Sequence, residues 1–381
     1  MIPFYLAVPL LLAFNPHVAA DPLADTQLLD ILLLASVDGN FHALNRSTGH
    51  TLWSTAPSTR DDDSSPLGPL VRTSHDPAAG GTFQETLLVE PQSGAIFTMP
   101  SPTDPLQRLP FSMPELASMS PVTYHGRVFV ARKETSVLLL DLETGIVAVA
   151  PAQHSRVRFQ GAPDDVHLDA TEVAITREEY HVAVHTPRSP VLDLYFARYG
   201  PHEEDDVLQA AYQQTKDGLY AQSRPYSILA VNTRVEGASW MYLFNESMFV
   251  AAFDILRTPT NTFALLQPRP QLSAILPNLA KKDTPFPESV YVGLVDKTRT
   301  LFAMSSARFP LLAFIRGRPT NKVRVMAAPL PGDSLPLQKQ CDEDERCLEP
   351  TALYTDLWCL TGMRRMGDGE SPTDELRMSY N

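Results

Sequence analysis

Cysteine is scarce: the chain of 381 residues has three, Cys341, Cys347 and Cys359, all late in the sequence. No disulfide framework therefore holds the main body, and any single pairing leaves one thiol over. Glycine is also low, at 18 residues, which excludes a flexible low-complexity polymer. Positive charge is in deficit. Lys and Arg number 31 against 44 Asp and Glu, a formal charge of −13 at pH 7, which argues against nucleic acid or an anionic membrane as partner. Beyond residue 20 no stretch reaches the ~18 apolar residues that cross a bilayer; Ile31 to Val37 and Leu311 to Ile315 are strand-sized. GxGxxG and GxxxxGKS/T loops, kinase HRD and DFG triplets, GxSxG and HExxH are all missing, so no cofactor, metal or catalytic residue is assigned from motifs.

Proline is abundant, 34 residues of 381 against a usual ~5%. Because Pro fits poorly inside helices, this tilts the fold toward all-β with many turns. The composition, 44% hydrophobic and 20% charged, is that of a folded globular protein. Phe4 to Phe14 is an apolar run of h-region length, and Val18-Ala19-Ala20 supplies small residues for cleavage before Asp21. Residues 1–20 are expected to be a secretory signal, followed by a β-rich body over 21–330 and a Cys-containing polar tail, open to disorder, over 331–381. The sequons Asn45-Arg46-Ser47 and Asn245-Glu246-Ser247 fit that route and make Asn45 and Asn245 candidate glycosylation sites.

A recurring unit runs through the body: apolar strand, tight polar turn, return strand, then often an Asx or Thr-Gly turn. The clearest copy runs from Ile31 to Trp53, with Asp38-Gly39-Asn40 as the hairpin turn and Asn45 to Gly49 as the next. A second pairs Leu87–Val89 with Ala95–Met99. In a third, Val128–Ala131 and Val137–Asp141 flank an expected turn at Arg132 to Thr135 and lead into Glu143-Thr144-Gly145. A fourth sets Val173–Thr176 against His181–Val184, and a last sets Val290–Leu294 against Leu301–Met304. Asn232 precedes Trp240 by eight residues, as Asn45 precedes Trp53. Early copies lie about 40 to 55 residues apart, the period of propeller blades. Later spacing is irregular, so the expected fold is mainly β, an eroded relative of a quinoprotein-type propeller with few short helices. Pro114–Met119 and Asp206–Lys216 are the helical candidates.

Single residues carry little chemistry. His181 and His185, four apart, share a face if their segment is a strand. Cys341 and Cys347 flank the run Asp342 to Glu345, a short disulfide loop or reduced thiols before a metal site. The acidic runs Asp61–Asp63 and His202–Asp206 read as solvated loops. Trp53 and Trp240, ending their units, read as inter-strand core.

Four stretches carry a resemblance: LLLASVDGNFHALNRSTGHTLWS (Leu32 to Ser54), LQRLPFSMPELASMSPV (Leu106 to Val122), VFVARKETSVLLLDLETG (Val128 to Gly145) and SVYVGLVDKTRTLFAMS (Ser289 to Ser305). Joined by ITREEYHVAVHT from Ile175 and FALLQPRPQL from Phe263, they resemble the luminal domain of the inositol-requiring-enzyme class of unfolded-protein-response sensors, in its fungal form. LPFSMPEL followed by SP is the specific element. The resemblance implies a luminal stress-sensing domain of the endoplasmic reticulum. Its partners would be unfolded polypeptides, a second copy of itself and a luminal heat-shock chaperone. That class continues into a membrane span, a kinase and a ribonuclease, for which these 381 residues show no counterpart. The resemblance also places the dimer contact on the strand equivalent to Val128 to Val137, making Phe129, Lys133, Thr135 and Val137 interface candidates. A noncatalytic scaffold of a membrane-insertion complex and a quinoprotein-like enzyme are the alternative readings.

Overall fold

The structure, a computed structural model, describes residues 21–55, 67–75, 83–150, 171–212, 218–224, 227–232, 238–243, 248–268, 289–305 and 357–367. Along the chain the elements are β1 (Gln27–Ser36), β2 (Phe41–Asn45), β3 (Thr51–Ser54), β4 (Val71–Thr73), β5 (Thr86–Val89), β6 (Ala95–Met99) and β7 (Gln107–Ser112). There follow α1 (Met113–Met119), β8 (Val122–Tyr124), β9 (Arg127–Asp141), β10 (Val147–Val149), β11 (Glu172–His185), β12 (Leu192–Pro201) and α2 (Asp206–Ala211). The later strands are β13 (Gly218–Arg224), β14 (Ser227–Asn232), β15 (Ala238–Leu243), β16 (Phe249–Arg257), β17 (Phe263–Leu266), β18 (Ser289–Val295), β19 (Thr300–Ser305) and β20 (Gly362–Arg365).

The protein is mainly β, as the proline count and strand patterns predict. Among the described residues the strands gather into sheets of eleven, six and three rather than repeated four-stranded blades, so the local hairpin is what survives of a propeller unit. The largest sheet runs β10-β9-β11-β17-β16-β1-β2-β3, with β12, β4 and β8 attached at its sides. The continuous apolar runs of the sequence are strands buried on both faces. Along β1, Leu33 and Ala35 enter the main core while Leu32 and Leu34 pack on the other side with Phe249 and Trp240. In the six-stranded sheet, Leu87, Val89 and Ile96 face the main core, and Leu88, Phe97 and Val292 face a second cluster.

That smaller sheet, ordered β20-β18-β19-β5-β6-β7, bends until its ends meet. Leu106, just before β7, donates its N–H to Arg365 O (2.9 Å) and accepts from Gly367 N (2.7 Å). Buried Leu357 and Leu360 fill the second cluster from below. The segment set apart as a tail thus contributes a strand and two core leucines within 357–367.

Two other local expectations are corrected. Arg132 to Thr135 is no turn: β9 runs unbroken for 15 residues. Likewise Val173–Thr176 and His181–Val184 are not two strands but parts of the 14-residue β11. Arg132, Lys133, Glu134 and Glu179 are exposed and Glu178 half-buried, pairing across the two strands, while Arg177 turns inward to Tyr199, so their polarity does not mark chain reversal. α1 starts as the sequence suggests, with Pro114 in its first turn and a capping box. Ser112 N donates to Glu115 Oε2 (2.7 Å), and Glu115 N donates back to Ser112 Oγ (3.4 Å). α2 is shorter than the candidate Asp206–Lys216, ending at Ala211 after a 3-10 turn over Glu203–Asp205.

Candidate functional site: an open strand edge on β9

β9 is covered along one side by β11, in register from Asp141 opposite Glu172 to Val128 opposite His185. Among the described residues its other side is covered only at the ends, by β8 against Arg127–Phe129 and β10 against Leu138–Leu140. Two further bonds bound the gap: Ala131 N donates to Ser120 Oγ (2.8 Å), and Ala150 N donates to Val137 O (2.8 Å). Successive residues of a strand turn their N–H and C=O to opposite edges. Ala131 and Val137 therefore fix the direction for the odd-numbered residues between them. Lys133 and Thr135 present their backbone N–H and C=O away from β11, and no described strand covers them. An uncovered strand edge is a template for pairing with another chain.

The side chains here keep the edge open and soluble. Lys133 Nζ lies 2.6 Å from Glu178 Oε1 on β11, and Glu178 Oε2 also accepts from Arg198 Nε (2.5 Å) and Tyr180 Oη (3.1 Å). Partial burial pushes the Glu178 carboxyl up, but the bonds from Lys133 and Arg198 outweigh it and hold the group below the usual carboxylate range. The bond to Glu178 raises Lys133 in turn. Arg132 and Glu134, both exposed, point to the opposite face, with Arg132 Nη1 3.6 Å from Glu134 Oε1. That face continues over Val128 and Val130, exposed by 37% and 44%, to His181 and Tyr195. His181 Nε2 shares a 2.8 Å hydrogen bond with Asp193 Oδ1, and Arg72 lies 4.3 Å from the Tyr195 ring centroid.

The four interface candidates divide. Lys133 and Thr135 lie at the open edge. Phe129 is in the core, 1% exposed, with Phe111 and Tyr124 around it, so its side chain supports the ribbon from behind. Val137 is half-buried and its carbonyl is already taken. The bounding residues Ser120 and Ala150 carried no signal in the sequence, since only pairing shows where the gap ends. His185 shares the His181 face but is exposed, and among the described residues no group of three or more His, Cys, Asp and Glu is arranged to hold a metal. No described helix is long and apolar enough to cross a membrane. Asn245, Cys341, Cys347 and Asp61–Asp63 lie outside the described residues.

Trp53 and Trp240 are half-buried, packed against the core clusters, and have a shared task. Trp53 covers Gly145 and donates Nε1–H to Leu142 O (2.7 Å); Trp240 covers Gly49 and donates to Arg46 O (2.9 Å). Each closes a turn in which an Asn or Asp oxygen accepts from a Thr N–H three residues on: Asn45 from Thr48 (2.9 Å), Asp141 from Thr144 (2.7 Å). Asn45, the other candidate acceptor, is half-buried at the first of these turns.

No protein-family model matches the chain. It is 27% identical over 334 residues to the serine/threonine-protein kinase/endoribonuclease ireA of Aspergillus fumigatus, covering 78% of this chain and 27% of that protein. It is 24% identical over 378 residues to the sensor for unfolded proteins in the ER ire1 of Schizosaccharomyces pombe, covering 77% of this chain and 34% of that protein. This chain thus spans about a third or less of the length of these relatives. Among solved structures, the compact lumenal domain of yeast Ire1 superposes with a TM-score of 0.62 at 19% identity, over 90% of this chain and 98% of that one. These matches do not favour the scaffold or quinoprotein readings. The homologues of this chain are Ire1-type kinase-endoribonucleases, and its fold is that of the yeast Ire1 lumenal domain.

Proposed function

We propose that this chain is the sensing domain of an unfolded-protein sensor in the endoplasmic reticulum lumen, acting by self-association through the β9 edge. The observation that carries this is the pairing gap at Lys133 and Thr135. Two copies related by a two-fold axis can pair these edges antiparallel in several registers, but the groups already engaged select one. Lys133 opposite Lys133 of a second copy would set Thr135 against Ala131, whose N–H is taken by Ser120. Thr135 opposite Thr135 would set Lys133 against Val137, whose C=O is taken by Ala150. Lys133 opposite Thr135, with the axis at Glu134, uses only open groups and makes four backbone bonds. Arg132 of each copy then lies diagonally across from Glu134 of the other, offsetting the facing carboxylates.

Unfolded segments are the second partner. Strand addition to an edge draws affinity from backbone bonds and little from sequence, which suits a reader of many clients. The chain's charge of −13 favours basic, apolar ones. A luminal heat-shock chaperone, implied by the resemblance, would compete with self-association. The relative named as a sensor for unfolded proteins supports this reading.

Proline substitution tests it. Thr135 turns its N–H to the open edge, so Thr135→Pro removes a donor needed by the dimer and none used by β11. Glu134→Pro takes a bond from the β11 ladder instead. Sedimentation of residues 21–381 at tens of micromolar, with and without a basic apolar peptide, is expected to show a concentration-dependent dimer. Thr135→Pro is expected to weaken it at least about tenfold, ~1.4 kcal/mol, with far-UV circular dichroism unchanged, whereas Glu134→Pro lowers the melting temperature. A wild-type chain that stays monomeric in both conditions, or a Thr135→Pro chain that dimerises normally, overturns the reading.

A further inference from the structure

The sequon at Asn45 is built into the fold in a way its sequence does not suggest. Its amide Nδ2 donates to Asp30 Oδ2 (2.7 Å), and its Oδ1 accepts from Thr48 N (2.9 Å) and Thr48 Oγ1 (2.8 Å). Ser47, the hydroxyl residue of the sequon, is held by the same carboxylate: Ser47 N and Oγ donate to Asp30 Oδ1 at 3.1 and 2.8 Å. The middle residue, Arg46, turns inward to a fully buried ion pair with Asp254, with further bonds to Leu29 O and Ile31 O. All three sequon residues are thus committed to structural partners.

We propose that Asn45 is a folding-gated glycosylation site, open to modification only until Asp30 engages it. In N-glycosylation the amide nitrogen forms a bond to the anomeric carbon of a lipid-pyrophosphate-linked oligosaccharide. The carbon–oxygen bond to pyrophosphate breaks, the lipid pyrophosphate leaves, and one amide proton goes to a base of the transferase. The amide nitrogen must be released from the acceptor it donates to, and the hydroxyl of the third residue must be available. In the folded chain Asp30 holds the amide through one N–H (2.7 Å) and the Ser47 hydroxyl (2.8 Å), and Thr48 holds the Asn45 carbonyl oxygen, so the transferase must release these bonds to turn the side chain into its own site.

The order of events follows from sequence distance. Asp30 and Asn45 belong to the β1–β2 hairpin, where Ile31 pairs with Asn45. Hairpins close in about 1–10 μs once both strands are present. Arg46 must wait for Asp254, 208 residues later, roughly ten seconds or more of synthesis at ~5–20 residues per second. The early lock is therefore Asp30, and the late one is Arg46–Asp254 with Trp240. The inference matters to the cell only if the chain is luminal, as proposed above.

The test separates these locks and does not rely on the chain's own targeting. The chain is placed behind a standard secretory leader and translated with microsomes, in an Asn245→Gln background, with protease protection scoring entry. The parent is expected to remain mostly unshifted on gels, while Asp30→Ala raises the glycosidase-sensitive band several-fold. Adding Asn45→Gln should abolish that band. Trp240→Phe removes the indole N–H from the late lock and is expected to leave occupancy low, which controls for loosening of the fold as a whole. A protected parent chain already fully glycosylated at Asn45, an Asp30→Ala chain with no gain, or Trp240→Phe matching Asp30→Ala each overturns the gate. None of these outcomes touches the sensor reading, which stands or falls on sedimentation.

Discussion

His42 shows how a residue that looks unremarkable in sequence acquires a charge state from its surroundings. It sits in β2 with Nε2 3.2 Å from Ser36 Oγ and Nδ1 2.8 Å from Ser54 Oγ, edge-on to Phe249. Burial drives its pKa from 6.5 down to about 4, with Asp38 opposing only in part. The unfolded chain takes up a proton below about pH 6.5, whereas the native chain does not until about pH 4. Stability from this residue is therefore full above pH 6.5 and falls as the pH drops between those values, by at most about 3 kcal/mol. Urea unfolding at pH 7.5 and pH 5 should show this decline, and His42→Asn should shrink it. An equal pH slope in the variant would refute the assignment. Of the partners involved, Ser36 and Ser54 are near in sequence and legible through the hairpin pattern. Arg46–Asp254 is not legible: Tyr212 Oη also donates to Asp254 (2.6 Å), so the cluster draws on three distant segments.

Elements were legible where a turn has its own chemistry and obscure where polarity had two causes. The turns at Gly39, Gly49, Gly94 and Gly145 all carry positive φ, between 71° and 87°, as the Asx and Gly signals require. Charged runs inside β9 and β11 misled because a solvent-facing strand and a loop have the same composition, and only cross-strand pairs such as Lys133–Glu178 tell them apart. The same ambiguity hid the gap in pairing along β9, since only the strand pairing shows where β8 and β10 stop. Gly145 gives the element-scale prediction. A Cβ there would come within 2.6 Å of Trp53 Cε3, and φ is +74°. Gly145→Ala should therefore lose on two counts, left-handed strain of about 1 kcal/mol and displacement of the indole from Leu142 O, for about 2–3 kcal/mol in all. Denaturant unfolding measures it; a loss under half that would mean that the turn relaxes without moving Trp53.

At the scale of the molecule, the closing of the six-stranded sheet was the feature least accessible to sequence reading. Its last strand follows β19 by more than fifty residues and is only four residues long, with no periodicity to distinguish it from polar surroundings. The structure makes it a structural keystone nonetheless. β20 pairs with β18 from Ser289–Arg365 to Val292–Gly362, Leu106 bonds its far side, and buried Arg364 donates Nη1–H to Pro102 O (2.5 Å). Leu357 and Leu360, 1% and 0% exposed, complete the second core cluster. Removing two buried leucines alone costs about 4–8 kcal/mol at typical values, comparable with the whole stability of an ordinary domain. A chain ending at residue 330 should consequently unfold at lower denaturant than one ending at residue 367, and with a smaller m-value, because the smaller sheet no longer takes part in the transition. A peptide spanning residues 355–368, added in trans, should recover part of the lost stability by re-forming the strand against β18. Two chains with matching midpoints and slopes would show that the closure contributes nothing measurable, and that the body is complete without its last strand.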